Sequence, residues 1–216
     1  MKKKKWLSVI LILSIYFLMI TGGIWHILDR FQNEMRVMAS PLLILLSCIV
    51  FYDYWRQSHK RSRVIIWGVL VIFSGIIIEW VGVNTGMIFG VYSYGDTLQP
   101  QIAGIPVAIG FAWLNIEICS LVLAQKISGQ KYMLAALTAL FMVLFDLSME
   151  APAGELGYWS WHHSIPFQNF LAWFVLGFLL LLLGQKLEAV EENKSPLIIH
   201  IYFAQMVFFL LIMFSL

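Results

Sequence analysis

The chain has 216 residues, of which 61% are hydrophobic and only 12% are charged, and its formal net charge is +2. A soluble domain carries about 25% charged residues, and a chain this short cannot hide so much apolar surface in a core of its own. Composition therefore excludes an ordinary soluble protein and predicts a single transmembrane domain over residues 1–216.

Long apolar runs divide the chain into candidate membrane spans, since a helix needs about 20 apolar residues to cross a bilayer. The runs are 6–28, 38–55, 64–83, 103–125, 132–149, 167–185 and 196–216. We therefore predict an all-α integral membrane protein with about seven transmembrane helices. The first run is too long for the apolar core of a signal peptide, so we interpret it as a span. Prolines near the starts of four runs suit helix starts, namely Pro41, Pro106, Pro166 and Pro196.

Basic residues fall almost entirely on one side of the membrane if seven spans alternate in direction. Only Arg30 and Arg36 fall on the other side. The remaining twelve are Lys2, Lys3, Lys4, Lys5, Arg56, Lys60, Arg61, Arg63, Lys126, Lys131, Lys186 and Lys194. Because Lys and Arg concentrate in cytoplasmic loops, we predict a multi-pass protein of the cell (inner) membrane with its N-terminus in the cytoplasm and its C-terminus outside.

Two predicted outer loops, 84–102 and 150–166, differ from the other connections. Neither contains Lys or Arg, and both are rich in Gly, aromatic and acidic residues. Binding and catalytic residues are found disproportionately on loops held by a rigid scaffold. These two loops are therefore the first place where we expect function.

The two loops and their flanking spans share one pattern. In each, an acid precedes a glycine by eleven residues, and a proline precedes Ala-Trp by six. The first unit contains Glu79, Gly90, Tyr92-Ser93-Tyr94, Ile105-Pro106 and Ala112-Trp113, and the second contains Asp146, Gly157, Trp159-Ser160-Trp161, Ile165-Pro166 and Ala172-Trp173. We predict a parallel internal repeat of two helical hairpins, spans 3–4 (about 64–125) and spans 5–6 (about 131–186), rather than chance similarity. Glu79 and Asp146 then face one another across a pseudo-twofold axis.

Carboxylates in or beside the spans are the main candidates for chemistry. An ionisable side chain inside a span is costly, so it is a functional hypothesis by default. Glu79 and Asp146 lead, with Glu150 and Asp96 in reserve, and Glu117 lies deeper in its span. A carboxyl group that keeps its proton near neutral pH can act as a general acid. The alternative is a structural carboxylate that caps a helix or bonds a neighbouring span, and for Glu117 we favour it.

Aromatic residues cluster in the same loops, notably Tyr92, Tyr94, Tyr158, Trp159 and Trp161. Trp and Tyr collect at membrane interfaces in any case. Aromatic faces also stabilise a cation. Both interpretations stay open at the level of sequence.

Metal and nucleotide signals are weak. His162 and His163 are adjacent, without the spacing of a histidine box, and Cys48 and Cys119 fall inside apolar runs. No Gly-x-Gly-x-x-Gly follows a strand. We therefore expect no metal, no other cofactor and no nucleic-acid partner, and we predict acid–base chemistry on a lipid-soluble substrate.

Two stretches resemble the carotenoid biosynthesis membrane proteins, which include carotenoid 1,2-hydratases of the gamma-carotene and bisanhydrobacterioruberin type. One stretch runs from Glu79 to Pro106 and the other from Asp146 to Trp173, so that the resemblance covers roughly residues 64–185. The second stretch departs from the family pattern Asp-Leu-x-x-Asp-Pro, because Glu150 is followed by alanine.

The resemblance implies that water adds across the terminal C=C of an acyclic carotenoid end group. Protonation by one carboxyl gives a tertiary carbocation, and a second carboxylate deprotonates the water, without a cofactor. The predicted catalytic residues are Glu79, Asp146, Glu150 and Asp96, and which of them is the acid stays open. The residues predicted to bind the carotenoid are Trp80, Tyr92, Tyr94, Trp113, Tyr158, Trp159, Trp161, Asn169 and Trp173.

Two other functions remain open at this stage. One is a carotenoid end-group cyclase or isomerase, which also protonates the polyene but admits no water. The other is a non-enzymatic membrane transporter or carotenoid-binding protein, since parallel repeats and intramembrane acids occur in transporters too. The oligomeric state and the particular carotenoid are not predicted.

Overall fold

The computed structural model describes residues 2–216, with the side chains of residue 6 and of residues 8–216. The described residues form seven long helices, all long and apolar enough to cross a membrane. They are α1 (Lys2–Ile27), α2 (Gln32–Gln57), α3 (Arg61–Thr85), α4 (Val107–Ala124), α5 (Lys131–Glu155), α6 (Phe167–Lys186) and α7 (Pro196–Met213). The prediction of an all-α multi-pass membrane protein is confirmed. The side chains of Lys2–Lys5, on which the predicted orientation partly depends, lie outside the described residues.

Prolines mark three of the predicted helix starts. Pro106 and Pro166 directly precede α4 and α6, and Pro196 is the first residue of α7. The fixed φ of proline suits a helix start, where its missing N–H is not needed. Pro41 is the exception: it lies inside α2, because that helix begins at Gln32, six residues before the apolar run.

Helix α4 is the centre of the bundle. In its most apolar window 83% of the residues are buried, against 17% for α1. Glycines allow close contact with α3: a Cβ on Gly110 would lie 2.7 Å from the carbonyl oxygen of Ile72. Small residues at helix contacts are how membrane helices approach without a hydrophobic driving force. α1 packs against α7 and exposes most of its apolar side chains, as a lipid-facing helix does.

At one end of the bundle, α3 and α5 end, α4 and α6 begin, and the connections contain short strands; we call this the strand end. The strands are β1 (Tyr92–Tyr94), β2 (Gln101–Ile102), β3 (Ile105–Pro106) and β4 (Trp159–Trp161). β1 pairs antiparallel with β4, with Ser93 opposite Ser160, and β2 pairs with β3. The two loops that the sequence singled out are therefore joined across the strand end.

The internal repeat remains a prediction. Antiparallel pairing of β1 with β4 about Ser93 and Ser160 is the arrangement that a two-fold axis between equivalent segments would produce. The helices themselves pack unevenly, since α4 alone is almost wholly enclosed.

Polar contacts tie the helix connections together at the opposite end. The hydroxyl of Tyr54 donates to the carbonyl of Ala189 at 3.3 Å, and Lys60 and Arg63 both pair with Glu188. The hydrogen bond from Lys60, together with the charges of Arg63 and Lys60, holds the pKa of Glu188 below its ordinary value. The connection between α6 and α7 is thus fastened to the connection between α2 and α3.

Candidate active site beneath the paired strands

A cavity of about 50 Å³ lies beneath the β1–β4 pair. Three of the predicted acids line it together: Glu79 from α3, and Asp146 and Glu150 from α5. Asn169, near the start of α6, completes the polar part of the wall. The structure therefore brings the leading acids into one buried space.

The carboxyl group of Glu79 accepts hydrogen bonds from three aromatic side chains. Its Oε2 accepts from the hydroxyls of Tyr92 and Tyr94, the latter at 2.7 Å, and its Oε1 accepts from Nε1 of Trp113 at 3.1 Å. Burial is the main cause that raises the pKa of Tyr92 and of Tyr94, and the nearby Glu79 is the second cause. Both hydroxyls therefore keep their protons and remain donors. Three donors around one carboxyl group suit its ionised form.

Asp146 and Glu150 form a pair on one face of α5. That helix continues to Glu155, rather than ending at residue 149 as expected, so Glu150 stands one turn beyond Asp146. The amide nitrogen of Asn169 donates to both, at 2.7 Å to Oδ2 of Asp146 and 3.0 Å to Oε1 of Glu150. One side-chain amide therefore bridges the two carboxyl groups.

The two acids of this pair differ in their remaining oxygens. Oε2 of Glu150 accepts from Nε1 of Trp161 at 2.7 Å and of Trp159 at 3.2 Å. Oδ1 of Asp146 is buried and has no hydrogen-bond partner among the described residues. By its contacts Glu150, rather than Asp146, is the counterpart of Glu79, because each accepts from two aromatic side chains of its own loop.

Aromatic rings form much of the cavity wall. Trp113 and Trp173 stack with ring centroids 4.2 Å apart and planes 13° from parallel, and the rings of Tyr92 and Trp161 lie 5.0 Å apart. Tyr158 also lines the cavity. These rings come from both loops and from α4 and α6, so the cavity depends on the pairing of β1 with β4.

Two residues predicted for the site lie away from the cavity. Trp80 is 48% exposed, because the residue after Glu79 points about 100° further around the helix. Asp96 is exposed and lines a separate hollow at the surface with Arg36 and Gln99. Sequence adjacency to the motif placed both in the prediction, but neither contacts this cavity.

Three further residues that the sequence made candidates, Glu117, His162 and His163, also lie outside the cavity. Glu117 is fully buried in α4, yet it does not line the cavity and neither of its carboxyl oxygens has a partner among the described residues. His162 and His163 are exposed. Within residues 2–216 no group of three or more His, Cys, Asp or Glu side chains is arranged to hold a metal ion.

The apolar part of the wall was not found from the sequence. Leu43 from α2, Ile116 from α4 and Phe209 from α7 line the cavity together with the acids. No sequence signal could single them out, because each is one apolar residue within an apolar span.

The fold and the site define a multi-pass membrane protein with a buried carboxylate cavity beneath an aromatic cap. The chain belongs to the carotenoid biosynthesis protein family, whose model matches residues 39–216. A curated relative, the bisanhydrobacterioruberin hydratase of Haloarcula japonica, is 29% identical in an alignment of 115 residues that covers 49% of this chain. The match covers 39% of that relative's length. No solved structure matches the chain at a significant level. The family that the motifs indicated is thus confirmed.

Proposed function

We propose that the protein is a carotenoid hydratase that adds water across the terminal C=C of an acyclic carotenoid. The observation that carries this proposal is one cavity in which three carboxyl groups have different hydrogen-bond environments. Membership of a carotenoid biosynthesis family supplies the substrate class, and the relative named as a hydratase supports the reaction.

We assign the general acid to Asp146. Glu79 and Glu150 each accept from three donors, whereas Oδ1 of Asp146 accepts from no donor in the part of the chain that the structure describes. Two carboxylates bridged by one amide repel each other when both are ionised, so the pair retains a proton. We place this proton on Asp146, whose Oδ1 accepts from no donor among the described residues, and Asp146 delivers it to a substrate in the cavity.

Protonation makes the tertiary carbocation. The electron pair of the terminal C=C takes the Asp146 proton and forms a new C–H bond at the CH carbon, which leaves the positive charge on the carbon with two methyl groups. The stacked Trp113 and Trp173 rings and the ionised Glu79 stabilise this charge. The aromatic wall therefore has a catalytic role beyond interface anchoring.

Water completes the reaction. A cavity of about 50 Å³ has room for an ordered water, whose share of the liquid volume is about 30 Å³. Its oxygen bonds to the tertiary carbon while Glu79 takes one of its protons, which yields a tertiary alcohol. The proton then returns from Glu79 to Asp146 through water, so no proton is consumed beyond those of the added water.

The direct test is expression of the chain in cells that make lycopene, followed by mass analysis of their pigments. Hydration predicts a product heavier by one water for each end that reacts. A product of unchanged mass with a closed ring would instead support a cyclase. An unchanged pigment profile with well-folded protein in the membrane would favour a transporter or binding protein.

We also propose the orientation that the basic residues indicate. The strand end then lies at the outer face of the cell membrane, where water reaches the cavity. The lipid-soluble carotenoid lies in the bilayer with its reacting end group beneath the β1–β4 pair.

A further inference from the structure

The cavity has a polar end and an apolar end. The carboxyl groups of Glu79 and Glu150 lie under the strand pair, whereas Leu43, Ile116 and Phe209 supply only apolar side chains. A polyene is apolar along its whole length, so the apolar end is the part of the wall that suits a chain leaving the site. Its position then decides where the carotenoid lies in the bundle.

Leu43, at the apolar end, lies deeper in the bundle than Glu150. Glu150 is five residues from the end of α5, or about 8 Å along the helix at 1.5 Å per residue. Leu43 is eleven residues from the start of α2, or about 17 Å from the same end of the bundle. Because α2 begins six residues before its apolar run, Leu43 lies five residues, or about 8 Å, inside that run.

Leu43 also joins the cavity to the outside of the bundle. It lines the cavity and is nevertheless only half-buried, whereas Ile116 and Phe209 are buried. The wall between the cavity and lipid is therefore thin at this point of α2. A hydrogen bond between Asp53 and Ser195, next to the start of α7, ties the two helices at the opposite end.

The size of the cavity requires an opening. Cavities that bind a benzene ring measure about 150 Å³, three times the space found here. A branched isoprenoid end group and the polyene behind it cannot both be enclosed in about 50 Å³. Part of the wall must move when substrate enters. Moving the thin apolar part costs the least free energy, because no hydrogen bond of the acids is broken there.

We propose that the polyene passes between α2 and α7 at Leu43 and Phe209, which we call the α2–α7 passage. The end group sits at the carboxyl groups while the remaining chain extends through the passage into the bilayer. Leu43 is then a specificity-determining residue, since its size sets whether a long chain can extend out of the site. The identity of the ligand rests on the proposed function, whereas the path rests on the cavity wall.

The test compares three purified variants in liposomes that contain lycopene, with bound lycopene per protein and hydrated product as separate readouts. Leu43→Trp fills the passage and should lower both readouts at least tenfold. Leu43→Ala widens it and should lose less of both readouts than Leu43→Trp does. The matched control is Leu45→Trp, on the same helix but 55% exposed, which should stay within twofold of the wild type.

The outcomes separate the path from the reaction. Wild-type protein that binds lycopene without hydrating it would refute the proposed function, while the binding comparison would still decide the passage. Undiminished binding by Leu43→Trp, or equal losses for Leu43→Ala and Leu43→Trp, would overturn the passage, as would wild-type protein that binds no lycopene. If Leu43→Trp does not fold, Leu43→Phe takes its place with a smaller expected loss.

Discussion

Replacing Glu79 with Gln should remove the proposed base while keeping the shape of the side chain. The carboxyl group accepts from Tyr92 and Tyr94 on one oxygen and from Trp113 on the other, and an amide oxygen can face only one of these sides. The orientation of the Gln amide that costs least keeps the hydrogen bonds from the two tyrosine hydroxyls. It places the amide NH₂ group against the N–H of Trp113, so that this hydrogen bond is lost. Losing one hydrogen bond to a charged acceptor costs about 1.5–3 kcal/mol of stability. Losing a positioned base lowers the rate about 10²- to 10⁴-fold.

The assay for Glu79→Gln is the initial rate of lycopene hydration in liposomes at equal amounts of folded protein. Glu117→Gln is the matched control, because Glu117 is also a buried carboxyl in a span but lies outside the cavity. We expect that control to hydrate lycopene within twofold of the wild type. A Glu79→Gln rate within threefold of the wild type, or an equal loss in Glu117→Gln, would refute the role of Glu79.

Four further predictions address the acid, the packing, the opposite end and the topology. Asp146→Asn should lower hydration by about 10²- to 10⁴-fold while lycopene still binds, and a normal rate would exclude Asp146 as the acid. Gly75→Ala would place a Cβ 2.9 Å from the Trp113 ring and should lower both thermal stability and rate, whereas Gly154→Ala meets no atom within 4 Å and should change neither. The lowered pKa of Glu188 means that its ion pairs contribute fully above its unfolded value of 4.5 and are lost as pH falls through the folded value. Hydrogen exchange in the α6–α7 connection should therefore rise on acidification, and by less in Glu188→Gln, in which Glu191 and Glu192 still titrate. Reporter fusions in loop 84–102 should report the outer side of the membrane, and a cytoplasmic signal there would reverse the proposed orientation.

The number and type of the helices could be predicted because each span is a long apolar run. The end of α5 could not, since the small and polar residues after Met149 have a loop-like composition. In the structure that segment stays helical through Pro152, and Glu150 is held there by Asn169 and Trp161. Long-range hydrogen bonds outweigh local composition at this point, and they turn a predicted loop acid into the partner of Asp146.

Site residues could be predicted where the motifs contain polar or aromatic side chains. They could not be predicted where the outcome depends on which way a side chain points from its helix. Glu79 and Asp146, which line the cavity, were predicted because a carboxyl group in a span is rare and costly. Trp80 was predicted for the site but lies outside the cavity, because it points to a different side of α3 from Glu79. Leu43 and Phe209 were missed because apolar residues facing a cavity and apolar residues facing lipid look alike in sequence. Only the packing of α2 and α7 distinguishes them.

The most direct test of hydration at this cavity uses purified protein, lycopene-loaded liposomes and water enriched in ¹⁸O. The proposed mechanism predicts a tertiary alcohol that carries one ¹⁸O for each end that reacts, formed by the wild type and by Glu117→Gln but not by Asp146→Asn. Recovery of unchanged lycopene, or of a ring-closed isomer without ¹⁸O, would contradict it.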